Sequence, residues 1–547
     1  MPAADPIAEL RAALDEAARS LIPDGDGPAQ EATLERPPKP DLGDYSSNAA
    51  MLLAAPLGEA PRDVAERLRA EIAERLGAGA ERIEVAGPGF VNFFLADGWF
   101  RGAVADLVEA GGSMGIAAVE SPQRVLVEFV SANPTGPVTA AGGRHAAYGD
   151  AVARTLEAIG HEVSREYYVN DTGGQIDRFA ASVAAAMSGA DPPEDGYEGQ
   201  YVKDLAGRLA GEGVDASDTA VVEERAVSLM LEAIRSSLER FGVSFDEWFS
   251  ERSLHDREMV GAAIEKLQAA GHVYQSEGAT WLRTTQFGDD KDRVLLRKGG
   301  EPTYFATDIA YHLDKLQRGF ERLLDVLGAD HHGYLPRMRA AIAALGYEPD
   351  SFEAQIIQFV HIVEGGERAQ MSKRRGDFVT LDELVSDIGA DATRFFMLQR
   401  SHDTTVDLDL ELARRESNEN PVYYVQYAHA RIASILRKAG EGAEERALAA
   451  DQRGVTAALE PAERTLIKRL LELSDEVSEA AERRAPHRLC AYAGTVAADF
   501  HAFYRDCKVV GAEGEGVEGS RLALCVLTKR TIARTLGLLG ISAPERM

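Results

Sequence analysis

Five short stretches of this chain carry residue types that can do chemistry. In the first, Arg124 to Val130 is a run of Val, Leu and Phe, Asn133-Pro134-Thr135-Gly136-Pro137 breaks it, and small residues resume from Thr139. The pattern predicts a buried strand, a turn and a helix running to Ile159. A helix that starts straight after such a turn aims free backbone N–H groups and the positive end of its dipole at the turn, making an anion-binding corner. Small residues there let a flat nucleotide approach the backbone closely. An ordinary strand–helix turn is the alternative that geometry alone leaves open. In the second stretch, Tyr304 and Asp308 stand four residues apart and share one side of a helix start, where Asp308 is either a ligand or an N-cap. The third, Gly328-Ala329-Asp330-His331-His332-Gly333, ends an apolar strand. Adjacent histidines on an extended segment point in different directions and no third ligand is evident, so no metal site is expected. The fourth, Gln370-Met371-Ser372-Lys373-Arg374-Arg375-Gly376, gathers cations. The fifth interleaves Tyr423, Tyr424, Tyr427 and His429 with Asn420, Gln426 and Arg431. Such rings either pack into a core or stack unpaired bases.

The elements that must position these residues fall into three patterns. Residues 1–115 read as a small α/β domain, with a helix carrying Ile7, Leu10 and Leu14, a second helix behind Ser46-Ser47-Asn48, a third over 61–76, and one strand through ERIEVAGPGFVNFFLA. Residues 116–395 alternate β and α, interrupted by an insertion around 186–255 that begins Pro-, Gly- and acid-rich. Ligands of doubly wound sheets gather at the carboxyl ends of strands, where several of the stretches above lie. A helix within this region is expected to be capped near Thr307-Asp308. Residues 396–547 read as a helical bundle without a clear strand.

Composition bounds the rest. At 547 residues, 45% hydrophobic and 27% charged, the chain has room for three or four domains. No apolar run approaches the roughly 20 residues of a membrane helix, and the acidic N-terminus does not resemble a signal peptide. Cys490, Cys507 and Cys525 lack CxxC spacing, which points away from disulfides and zinc and toward a reducing cytoplasm. A net charge of −30 argues against a nucleic-acid partner. It is uneven, however: residues 401–547 hold 20 Lys and Arg against 23 Asp and Glu, the preceding 400 residues 39 against 66. A basic face is therefore expected only near the C-terminus.

The stretch EFVSANPTGP, with Gly-Gly-Arg and Tyr-Gly-Asp after it, resembles the first active-site segment of class I aminoacyl-tRNA synthetases, specifically arginyl-tRNA synthetase. Gln370-Met371-Ser372-Lys373 resembles that class's Lys-Met-Ser-Lys loop, whose cations stabilise charge developing on ATP phosphates. GDYSSN and GPGFVNFFL resemble the family's N-terminal domain, which touches the tRNA elbow. NPVYYVQYAHAR and LGLLGISAPERM resemble its helical anticodon-binding domain. The resemblance implies a Rossmann-like parallel-sheet catalytic domain between a small α/β domain and a helical bundle. It implies that ATP and L-arginine form arginyl-adenylate, and that arginine then passes to the 3′-terminal adenosine of tRNA(Arg). A monomer is expected, with Mg2+ accompanying ATP.

Roles carry over residue by residue. Asp308 and Glu128 would take the guanidinium, Tyr304 would pack beside it, and Ser131 and Asn133 would hold the α-amino end. Pro134, Gly136, Gly142, Gly143, Gly328, Asp330, His331, Met371 and Lys373 would meet ATP, with Lys373, Ser372, Thr139 and Gly142 closest to the chemistry. Tyr423, Tyr427, Tyr504 and Met547 would face tRNA. One departure matters: where the family has His-x-Gly-His, this chain has Thr139-Ala140-Ala141-Gly142. Losing one preorganised donor costs about 3 kcal/mol, so both histidines must be replaced or the chain only binds its ligands. The substitutes expected are the Thr139 hydroxyl, the N–H groups of Gly142 and Gly143, and His145. A hydrolase is disfavoured, since no Walker loop, nucleophile–His–Asp pattern or metal cluster is visible.

Overall fold

The computed structural model describes residues 5–22, 32–114, 116–329, 333–368 and 378–547. At its centre is a parallel five-stranded sheet in the order Phe352–Ile357, Arg322–Gly328, Arg124–Glu128, Glu162–Val169, Glu247–Ser250. Strands covered on both faces read as continuous apolar runs, which is why Val125, Leu126 and Val127 are all fully buried. From Arg124–Glu128 the chain winds outward through Glu162–Val169 and Glu247–Ser250, then returns to build the opposite flank. The winding direction therefore switches between Arg124–Glu128 and Arg322–Gly328, the place where such sheets open a ligand crevice. The helix Ala140–Ala158 leaves the first strand across the sheet, and Gly149 lets it lie close: a Cβ there would meet Phe129 Cγ at 2.2 Å.

Among the described residues up to 110, helices pack on a three-stranded antiparallel sheet. ERIEVAGPGFVNFFLA is two strands, not one: Ala80–Ala86 and Phe90–Leu95 pair around Gly87-Pro88-Gly89, with Gly87 and Gly89 at φ of 53° and 142°. Helix Ala49–Leu57 starts at Asn48, whose side chain makes no cap bond; the Ser47 hydroxyl accepts from Ala49 N–H instead. The stretch expected to interrupt the sheet supplies helices Gln200–Gly211 and Thr219–Arg240, the latter packed on Gly174–Met187.

Beyond residue 400 the chain is helical apart from strand Val406–Asp409, which pairs in parallel with Val360–Glu364. This corrects the expectation of no strand. The α/β-plus-helical architecture holds, and buried contacts tie its parts together. Arg394 donates to the Leu539 and Phe241 carbonyls, at 2.9 and 3.2 Å, and to Asp150 on the helix Ala140–Ala158.

Candidate active site

Thr139 caps the helix that leaves the first strand. Its Oγ1 accepts from Gly142 N–H at 3.4 Å and its carbonyl from Gly143 N–H at 2.9 Å. These two amides are thus bonded within the helix start, so the hydroxyl of Thr139, which still has its own proton to give, is the better candidate donor. Both glycines sit tightly against neighbouring side chains: a Cβ at 142 would stand 2.9 Å from Val138 Cγ1, and one at 143 would stand 2.8 Å from Leu381 Cδ1.

The second contact is informative because of where Leu381 comes from. Leu381 N–H donates to the Val138 carbonyl at 2.8 Å, Ala140 N–H donates to the Val379 carbonyl at 3.0 Å, and Thr139 pairs antiparallel with Thr380. Residues 379–381, which follow the cation-rich stretch in sequence, therefore lie directly against the Thr139 corner. Met371, Ser372 and Lys373 lie outside the described residues, as do Asp330 and His331. Gly328 is the last residue of its strand. Arg144, one turn along the helix, is buried with four backbone carbonyls, those of Gln358, Phe359, Ser401 and Thr404, at 2.8 to 3.3 Å. Burial lowers it to about 10. It fastens the helix start to the loops that lead into strands Val360–Glu364 and Val406–Asp409.

Between strand and helix the backbone is strained. Val130 and Ser131 have φ of 67° and 41°, a region costly for a β-branched residue. Tyr167 holds this turn by donating to the Ala132 carbonyl at 2.8 Å, and Tyr168 N–H donates to Ser131 Oγ at 3.1 Å. The turn brings Ser131 Oγ back onto Glu128 Oε1 at 2.9 Å. Asn133 donates to Gln175 Oε1 at 2.7 Å and, with Thr135, Arg178 and Tyr197, lines a polar cavity of about 370 Å3. Pro134 and Gly136 are buried beneath it, Gly136 against the Tyr201 ring. A larger hollow of about 780 Å3 lies elsewhere along helix Thr219–Arg240. Its lining includes Glu223, Glu224, Glu232 and Glu239, which would repel a phosphate.

The helix Tyr304–Gln317 is capped by Thr303, whose Oγ1 accepts from Ala306 N–H at 3.3 Å. Asp308 is therefore not a cap but lies in the second turn, half-buried, while Tyr304 is 77% exposed. Among the described residues no cation pairs with the Asp308 carboxyl. Burial raises it to about 6, with Glu128 and Asp325 adding to the effect and His312 and Arg337 opposing it. Glu128 already has a cation partner within the chain. Fully buried Lys315 donates to its Oε2 at 2.6 Å and to Asp325 Oδ1 at 3.0 Å. Burial pushes Glu128 up; it opposes ionisation of Asp325 too, but there Lys315 and His312 prevail and hold it low. Lys315, Asp325 and His312 were missed in the sequence, although Asp308, His312 and Lys315 share one helical face.

At the C-terminal end, the rings of Tyr423 and Tyr427 stack 6.2 Å apart, and Arg431 lies over Tyr427 and Tyr504. Tyr427, Tyr504, Met547, Arg431, Lys438 and Arg546 line a hollow of about 520 Å3. His429 instead points inward, its Nδ1 facing the Pro544 carbonyl oxygen at 2.8 Å.

Comparison with known proteins agrees with this geometry. Residues 7–95 match the family model described as arginyl tRNA synthetase N terminal domain. Residues 104–207 and 208–432 match the class I (R) tRNA synthetase catalytic domain, and 425–547 match the DALR anticodon binding domain. An arginine–tRNA ligase of Desulforudis audaxviator is 44% identical across 98% of this chain and 97% of its own. One of Bacillus subtilis is 45% identical across 94% of each. The solved arginyl-tRNA synthetase of Thermus thermophilus superposes with a TM-score of 0.77, at 26% identity over 98% of this chain and 99% of its own. With its sheet, its Thr139 corner and its C-terminal tyrosine face in these positions, the chain belongs to the arginyl-tRNA synthetase family of class I aminoacyl-tRNA synthetases.

Proposed function

We propose that this protein is an arginine–tRNA ligase: it condenses L-arginine with ATP to arginyl-adenylate and pyrophosphate, then transfers the arginyl group to the 3′-terminal adenosine of tRNA(Arg). The observation that carries this reading is the pairing of the Thr139 corner with residues 379–381 in a chain that also sets a half-buried carboxylate, Asp308, near Glu128 at the end of the first strand. In this reading Asp308 takes the guanidinium through two parallel hydrogen bonds, and Tyr304 covers it. Ser131 and Asn133 orient the α-amino end, so that the arginine carboxylate meets the ATP α-phosphate. Pro134, Gly136, Gly142, Gly143, Gly328, Asp330 and His331 shape the ATP site. Catalysis is then positioning and charge stabilisation. Thr139 Oγ1 and Lys373 supply donors to the phosphates, with Ser372 and Met371 holding the Lys373 loop. Mg2+ suits this site as the ion carried by the phosphates, where it neutralises charge. Among the described residues no group of three His, Cys, Asp or Glu stands ready to hold one.

The domain division proposed is 1–115, 116–395 and 396–547. Tyr423, Tyr427, Tyr504 and Met547 are assigned to tRNA contact, supported by the clustering of Arg431, Lys438 and Arg546 around three of them. A cytoplasmic monomer is the proposed state; three buried, unpaired cysteines suit the reducing compartment. The test is charging of tRNA(Arg) by purified protein with arginine and ATP, with and without Mg2+. Charging that depends on all three substrates supports the assignment. Folded protein that binds tRNA and arginine but charges nothing would replace it with a non-catalytic role.

A further inference from the structure

Beneath the proposed arginine site lies a set of charges that already satisfy one another. Lys315 Nζ bridges Glu128 Oε2 and Asp325 Oδ1. The remaining oxygen of Glu128 accepts from the Ser131 hydroxyl, and that of Asp325 faces His312 Nε2 at 3.0 Å. His312 Nδ1 faces the Asp308 backbone carbonyl at 2.8 Å, which anchors the ring to the turn that carries the Asp308 side chain. Each carboxylate oxygen of Glu128 and Asp325 thus has a partner from within the chain. Among the described residues the Asp308 carboxylate has no such partner.

We infer that Lys315 is a specificity-determining positioning residue: it occupies, from within the chain, the ammonium position between Glu128 and Asp325, and, of these two carboxylates and Asp308, leaves only Asp308 open to a side-chain cation. The inference rests on the arginine site proposed above. It follows from the chemistry of the two cations. An ammonium is a compact, strongly hydrated point charge that needs several close acceptors to offset its dehydration. A guanidinium is weakly hydrated and can be held by a single carboxylate through its planar fork. With Lys315 in place, an incoming ammonium finds the paired acceptors filled, whereas an incoming guanidinium needs only Asp308. The pocket would therefore turn away lysine-like side chains without any steric bar.

The test is the ratio of dissociation constants for lysine and arginine, measured by calorimetry on the full chain with tRNA present. In Lys315→Met this ratio should fall about tenfold or more, because Glu128 becomes available to the lysine ammonium. ATP affinity should stay within about twofold. A residue that only supports the fold would weaken both amino acids together and leave the ratio unchanged. If Lys315→Met does not yield folded protein, Lys315→Gln, which keeps a donor for Glu128 without the charge, reads the same ratio. A ratio within about twofold of wild type, in a variant that still binds ATP, overturns the role of Lys315 and leaves the arginine site standing. A wild-type protein that binds no arginine overturns both.

Discussion

At the residue scale the site depends on carboxylates that look alike in sequence and differ in surroundings. Asp308 lies half-buried, is raised to about 6, and is faced by Glu128, Asp325, His312 and Arg337. Its carboxyl must be ionised to bind a guanidinium, so arginine KM should fall as pH rises through about 6 and level above it. In the empty protein, a raised carboxyl pKa means the fold holds a proton that the unfolded chain releases. Asp308 therefore favours the fold at low pH and costs it stability as pH rises through 6. Arginine relieves that cost, so it should raise Tm more at pH 7 than at pH 5. Asp308→Asn should remove the pH step and raise arginine KM by at least about tenfold, leaving ATP affinity little changed; equal arginine KM in that variant would exclude Asp308. Steady-state assays should also separate Lys373→Ala, with a loss of about 10²-fold or more in kcat, from Thr139→Ala, with a smaller one. If Thr139→Ala keeps full activity, some other group stands in for the missing histidines.

At the element scale, the close crossing of helix Ala140–Ala158 over the first strand turns on Gly149. Gly149→Ala would drive a methyl into Phe129 and should destabilise the protein by roughly 1–3 kcal/mol, read as a fall in Tm. A wild-type Tm would show that the helix can move away freely. Which elements were legible beforehand follows from how strongly each is marked. The parallel strands were legible because burial on both faces writes apolar runs such as Val125 to Val127. The hairpin at Gly87-Pro88-Gly89 is hidden in the sequence, since the alternating arm Ala80–Ala86 and the apolar arm Phe90–Leu95 both read as strand and run on through the turn. Val406–Asp409 is four residues long, too short to assert itself among helices. The helix cap was misplaced because Thr303 and Thr307-Asp308 offer the same side-chain chemistry four residues apart. Lys315 could not be found from type alone: a lysine in a helix reads as surface, and only the fold brings Glu128 and Asp325 to it. The convergence of Val138–Ala140 with Val379–Leu381 is likewise a tertiary fact, implied by resemblance but not by spacing.

At the scale of the whole molecule, a protein of net charge −30 must bind a polyanion through a restricted face. The cluster of Arg431, Lys438 and Arg546 around Tyr427 and Tyr504 suits that role. Replacing Arg431 by Glu should weaken tRNA binding by about tenfold and flatten its salt dependence, with arginine and ATP affinities unchanged. Salt-independent binding by the wild type would contradict this. Deleting everything beyond Ser401 is a poorer test, because Arg144 takes the Thr404 carbonyl and Arg394 takes that of Leu539. The grip of Arg394 also bears on how the protein is made. Asp150 and the helix Ala140–Ala158 that carries it emerge from the ribosome long before Leu539, yet the same guanidinium holds both. Until Leu539 arrives, Arg394 lacks one of its buried acceptors. Synthesis therefore leaves the catalytic sheet waiting on the last helix, and a nascent chain halted between these points should be inactive even with every proposed catalytic residue already translated.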